Sequence, residues 1–357
     1  MANPYRQKPA TSFWKKSVAI PAAIDVDPVI SSSIVIGPES QIATAGSCFA
    51  QHIARTLARE GFHYLVEENE PAFSFSQNEN YGTFSARYGN IYTVRQLLQL
   101  FDRAHAIFEP QETAWRRSDG RFIDPFRPQI QSDGFETVEQ LCADRASHLV
   151  KVRSLFEKCD VFIFTLGLTE AWLSTRDGSV FPLAPGVVSP DVDPDGYRFH
   201  NFTVQEIEHD LLLFLERLGQ VNPKVRVILT VSPVPLIATY EPKHVLCATT
   251  YSKAVLRVVA EQIAQKVDWV EYFPSYEMIT GPHTRGAFYE EDLREVRPEG
   301  VAYVMSVFSR HYLSNGAQPA EQAREQAVSE EEMSRQKAIM DQLSSVICDE
   351  TAIEENL

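Results

Sequence analysis

Four short stretches carry the residue types that nucleophilic and acid–base chemistry need. Gly46-Ser47-Cys48-Phe49-Ala50 sets a hydroxyl and a thiol side by side. Gly167-Leu168-Thr169-Glu170-Ala171-Trp172, Ser232-Pro233-Val234-Pro235 and Pro274-Ser275-Tyr276-Glu277 add further hydroxyls and carboxyls. A small-residue turn opening a helix near Phe49 would put Ser47 or Cys48 at a helix N-terminus, where unpaired amides and the helix dipole favour a thiolate or a developing oxyanion. The plainer roles are Ser47 as a helix N-cap and Cys48 as a small buried filler. A nucleophile also needs a proton acceptor, normally a histidine. His52 is four residues after Cys48, on the same helix face. His244 follows the third stretch in Lys243-His244-Val245, and His283 lies in Gly281-Pro282-His283.

Each stretch directly follows an apolar run that reads as a buried strand: 42–45, 161–166, 225–231 and 269–273. Helical spacing appears between them over 52–60, 94–104, 138–158, 204–218 and 251–266. Alternating strand and helix signals predict an α/β fold with a mainly parallel sheet. In such a sheet the ligand crevice lies beyond the carboxyl ends of the strands, which is where all four stretches fall. Two long segments, 67–90 and 177–201, are rich in Pro, Gly, Asn and aromatic residues and read as loops over that crevice. An aromatic stripe of Trp14, Phe73, Phe75, Tyr81, Phe84 and Tyr88 is read as loop packing before sugar stacking.

The 357 residues carry a net charge of −15, with 44% hydrophobic and 23% charged residues, which is globular composition. The negative charge opposes attraction to nucleic acid or anionic lipid. No run is long and apolar enough for a membrane span, and residues 1–22 lack a secretory signal pattern, so a cytoplasmic protein is expected. Five separated cysteines suggest neither a disulfide framework nor a zinc site, and no metal is expected. Phosphate-binding glycine loops are absent, and the alternating Asp191, Asp193 and Asp195 lack the terminal glutamate of a calcium loop. Three regions are expected: an N-terminal extension over 1–40, the α/β domain over 41–315, and an acidic tail over 316–357. The tail carries Ile339, Met340, Leu343 and Ile347 at helical spacing and could offer a protein partner a helix.

The GSCFA stretch, together with Phe84-Ser85-Ala86-Arg87-Tyr88-Gly89-Asn90, Thr165 to Trp172, Val231 to Pro235 and Tyr272 to Glu277, strongly resembles the GSCFA-domain family over roughly residues 4–312. That family is similar to the SGNH (GDSL-like) hydrolases. The resemblance implies a flavodoxin-like three-layer α/β/α fold and acyl-ester chemistry without a cofactor, or with an acyl-CoA donor if the acyl group is transferred. Matched by motif, the superfamily's nucleophilic serine falls on Cys48 and its aspartate on Ser47. Gly89, with Asn90 beside it, takes the place of the second block's backbone donor. Gly167-Leu168-Thr169-Glu170 resembles the Gly-x-Asn-Asp block, so Thr169 stands where the oxyanion-hole asparagine would be. Asp292-Leu293-Arg294-Glu295 departs from the expected Asp-x-x-His, with Glu295 in the histidine's place. His244, ahead of His52 and with His283 in reserve, or Glu295 itself, would then be the base. The expected function is ester hydrolysis or O-acyl transfer on a carbohydrate or small ester substrate. The alternative is a binding or assembly protein that keeps the fold without turnover.

Overall fold

The computed structural model describes residues 3–59, 61–68, 80–190, 192–314 and 353, with the side chain of Cys48 outside the described set. Strand β1 (Ile42–Gly46) leads into α1 (Cys48–Arg59). Next come α2 (Val94–Ala104), the short hairpin β2 (Trp115–Arg116) and β3 (Phe122–Ile123), and α3 (Val138–Lys158). Strand β4 (Val161–Leu166) is followed by β5 (Glu170–Ser174), β6 (Val180–Phe181), β7 (Tyr197–Asn201) and α4 (Val204–Val221). The chain continues through β8 (Arg226–Val231), α5 (Val245–Lys266), β9 (Val270–Tyr272), α6 (Ser275–Thr280) and α7 (Pro298–Tyr312).

The main sheet has the order β1-β4-β8-β9 and is parallel throughout. On the far edge of β1, Tyr64 makes a parallel bridge to Ile42, and the Ile42 amide and carbonyl bond to His63 and Leu65. The chain therefore leaves β1 toward one edge and returns to form β4 on the other side. This is the flavodoxin-like order, with its switch point between the carboxyl ends of β1 and β4.

Alternation along the strands explains the three layers, because successive side chains point to opposite faces. Phe162, Phe164 and Leu166 of β4 pack in one core with α2, α3, α4 and α5. Val161 and Ile163 pack in a second core with α1, α6 and α7. The starts of α2 and α4 are set by capping boxes, Thr93 with Gln96 and Thr203 with Glu206, and Thr137 caps α3.

The sequence reading of 177–201 as loop is corrected: β6 and β7 flank β5 in an antiparallel three-stranded sheet. Helix α5 begins at Val245, six residues before the expected start, because Cys247, Thr249 and Thr250 hide the helical pattern. Phe84 and Tyr88 join the first core, Tyr81 stacks under the Arg87 guanidinium, and Trp14 is exposed. Phe73 and Phe75 lie outside the described residues, as do the tail residues Ile339 to Ile347. Both large cores draw their described members from residues 23–313. Cutting the chain after residue 319 is therefore expected to leave a cooperative thermal transition with its midpoint within roughly 3 °C of the full chain.

Candidate functional site

Strand β1 ends in Gly46 at φ +139°, a conformation suited to glycine, directly opposite Thr165 of β4. The turn delivers Ser47 to the switch point immediately before α1. Ser47 is buried, and its Oγ donates to Ser232 Oγ at 3.2 Å across the sheet end. Ser232 in turn accepts from the Val234 amide at 3.3 Å. Gly167 closes the next strand end. A side chain there would meet the Tyr92 carbonyl at 2.9 Å, so the position admits only glycine without a shift.

Ser47, Gly167, Ser232 and Lys253 line a slot of about 10 Å³, enough for one water-sized group. Lys253 had no place among the sequence candidates. It lies on α5, is 2% exposed, and donates to the Gly167 carbonyl at 2.5 Å. The available signal was its register: Lys253 lies three and seven residues before Leu256 and Ala260, on the buried face of an otherwise apolar stripe. A lysine so deeply buried needs a hydrogen-bonding partner, and here the Gly167 carbonyl supplies one.

The slot adjoins a cleft of about 600 Å³, the two sharing Tyr92, Leu168 and Leu236. This is the volume of a small-ligand site. Trp172, Phe199 and Tyr240 form one wall, with ring centroids 4.8 to 6.1 Å apart. The 181–187 segment, from the end of β6 onward, forms another, and Ile353 also lines the cleft. Glu170 is the acidic residue of the lining. Burial raises its carboxyl above the usual range, against hydrogen bonds from Thr239 Oγ1 (2.7 Å) and the Tyr240 amide.

The other sequence candidates fall around this centre. Gly89 and Asn90 sit over the end of β1, where the Ile91 amide bonds the Gly46 carbonyl. Asn90 Oδ1 accepts from Gln51 of α1. Thr169 lies behind the slot. Its hydroxyl donates to Asn201 at 2.7 Å and its amide to Ser252, while the Gly167 and Leu168 amides both go to Tyr92. These donors are held by protein acceptors, and the geometry does not bring the Thr169 hydroxyl into the slot as an oxyanion donor.

His244 is not brought to Ser47 either: it is exposed and caps α5 by accepting the Leu246 amide at its Nδ1. Asp292 and Glu295 are exposed, with the Asp292 carboxylate accepting the Arg294 and Glu295 amides to close a turn. That turn reaches the site only indirectly, through Arg294 to the Pro235 carbonyl and Tyr289 to the Pro233 carbonyl. His283 follows α6, its Nε2 buried without a hydrogen-bond partner among the described residues. Cys48 opens α1, and its thiol lies outside the described residues.

His52 is half-buried on α1 against Phe49. Burial, helped by the Arg55 charge, lowers its pKa to about 4, and burial does the same to His148. Both rings are neutral in the native state at pH 7. A depressed native value means that the unfolded chain binds more protons below pH 6.5, so stability is lost as pH falls from 6.5 toward 4. Each ring steepens the loss by up to about 1.4 kcal/mol per pH unit. His52→Gln is expected to flatten part of this slope, read as thermal midpoint against pH.

Among the described residues no group of three or more His, Cys, Asp or Glu is placed to hold a metal ion. No helix among them is long and apolar enough to cross a membrane.

With the glycine turn, the Gly167 turn and the β8 end in one place, the match to the GSCFA family model over residues 41–308 has its structural counterpart. The chain belongs to the GSCFA family. No curated protein matches the sequence. Among solved structures, an acetyl esterase mutant S10A with acetate ion is 12% identical, with 74% of this chain and 92% of that chain covered and a TM-score of 0.30. A Clostridium thermocellum family 3 carbohydrate esterase is 10% identical, with 77% and 94% covered and a TM-score of 0.27.

Proposed function

We propose that this GSCFA chain is an ester-cleaving enzyme whose nucleophile comes from the Ser47-Cys48 pair and whose substrate occupies the aromatic-walled cleft. The observation that carries the reading is the slot itself: Ser47, Ser232 and the buried Lys253 converge at the β1/β4 switch point and open onto a cleft large enough for a small ester. The hydroxyl or thiol adds to the ester carbonyl, and the Lys253 ammonium stabilises the negative charge that develops. The alcohol leaves with the proton given up by the nucleophile. Water then releases the acid and restores that proton. The wall of Trp172, Phe199 and Tyr240 suits the flat apolar face of a sugar ring or a small acyl group. Transfer to an acceptor other than water, including from acyl-CoA, would use the same acyl-enzyme.

The test is incubation with p-nitrophenyl acetate and with acetylated sugars, following released acid and the mass of the peptide containing Ser47 and Cys48. A gain of one acetyl group, assigned to Ser47 or Cys48 by fragmentation, is expected. Neither an adduct nor turnover with any ester or thioester would replace this reading by that of a binding protein on the same fold.

A further inference from the structure

Beyond the slot, the molecule buries an arginine that the described carboxylates do not match. Among the described residues, four arginines, Arg87, Arg103, Arg127 and Arg145, and three carboxylates, Glu68, Asp124 and Asp144, lie between α2, the hairpin region and α3. Arg127 pairs with Asp124 (2.9 Å) and Asp144 (2.7 Å), Arg145 with Asp124 (2.7 Å), and Arg87 with Asp144 (3.1 Å). Glu68 accepts from His148 and from the Arg87 amide. Arg103 is 9% exposed and pairs with none of them. Its Nη2 is buried without a hydrogen-bond partner, and its guanidinium lies 3.9 Å from the centroid of the Phe126 ring. Stacking on a ring supplies electrostatic attraction but no acceptor for an N–H. Burial lowers the Arg103 pKa to about 9, partly opposed by Asp124. An unsatisfied buried guanidinium is costly, and an anion would offset the cost.

The place for that anion exists. Arg103 lines a pocket of about 20 Å³ together with Asn90, Gln96, Gln99, Phe126 and Arg127. Gln99 is fixed there by the Gly178 carbonyl and the Val180 amide. Gln96 also lines the large cleft, so the pocket and the cleft meet at one side chain. The pocket is small, and a carboxylate end is a compact group that presents two acceptor oxygens to a guanidinium.

We propose that this pocket binds a carboxylate through Arg103, either as a small free carboxylate or as the acidic end of a molecule whose body lies in the cleft. The proposal is independent of ester cleavage and is tested without activity. The full chain is melted at constant ionic strength, maintained with a bulky sulfonate salt, while sodium acetate, phenylacetate, chloride or phosphate is titrated. Acetate is expected to raise the melting temperature saturably, by roughly 2 °C at ten times its dissociation constant. Phosphate and chloride should act more weakly than acetate. In Arg103→Met the acetate response should vanish, with the anion-free melting temperature equal to or above that of wild type, because a buried unpaired charge has been removed. A phenylacetate midpoint at least tenfold below that of acetate assigns the carboxylate to a larger cleft ligand, and equal midpoints assign it to a free acid. The proposal is overturned by a wild type indifferent to acetate, which decides the matter even if the variant does not fold. It is also overturned by an undiminished response in Arg103→Met, or by chloride or phosphate acting more strongly than acetate.

Discussion

Lys253→Met is expected to lower ester turnover by about 10²–10⁴-fold, the scale on which loss of an acid–base or oxyanion-stabilising group is felt. This corresponds to roughly 3–5 kcal/mol of lost transition-state stabilisation. Lys253 shares the slot with Ser47 and carries positive charge to the place where the tetrahedral intermediate becomes negative. Methionine keeps the length and apolar stem of lysine, so α5 should remain packed through Leu256, Val259 and Ala260. The Gly167 carbonyl loses one donor, a cost of about 1–3 kcal/mol in stability that a melt measures separately. The decisive readings are kcat and the rate of acetyl-adduct formation, both falling with KM little changed. Full turnover in Lys253→Met would show that the developing charge is stabilised by other groups at the strand ends and would remove Lys253 from the mechanism.

Gly46→Ala is expected to be the most damaging small substitution for the fold. A Cβ at residue 46 would lie 2.5 Å from the Thr165 carbonyl oxygen and 2.7 Å from Thr165 Cβ, distances that force β1 and β4 apart. The backbone there also has φ +139°, which an L side chain resists. Gly46 is the last residue of β1 and pairs with Thr165 of β4, so the strain falls on the turn that delivers Ser47. A loss of about 3 kcal/mol is expected, lowering the melting temperature by roughly 4–5 °C. Ser47 would move with the turn, so turnover should fall further than the unfolded fraction explains. Wild-type stability in urea would show that the β1/β4 junction yields more easily than its spacing implies.

The sequence alone determined what short-range pattern encodes. The run from Val161 to Leu166 reads as a buried strand because every side chain is apolar or a small threonine, and β4 has those bounds. The bounds of α2 and α3 were legible because capping threonines stand before their apolar stripes. The Gly46-Ser47 turn was legible as a strand end because glycine and serine abruptly follow a small apolar run. The small sheet was not: β5 mixes Glu170, Trp172 and Ser174 with its apolar residues, and β6 and β7 are short segments separated by proline- and glycine-rich chain, so only pairing with β5 makes them strands. Nor was the site's composition. His244 and Glu295 had attractive positions along the chain, yet one caps a helix and the other lies on an exposed turn, while Lys253 reaches Gly167 across 86 residues. Local patterning specifies which face of an element is buried. Which buried faces meet at the end of β1 is decided by how the layers pack on the sheet, and that packing alone brings Ser47, Ser232 and Lys253 into one slot.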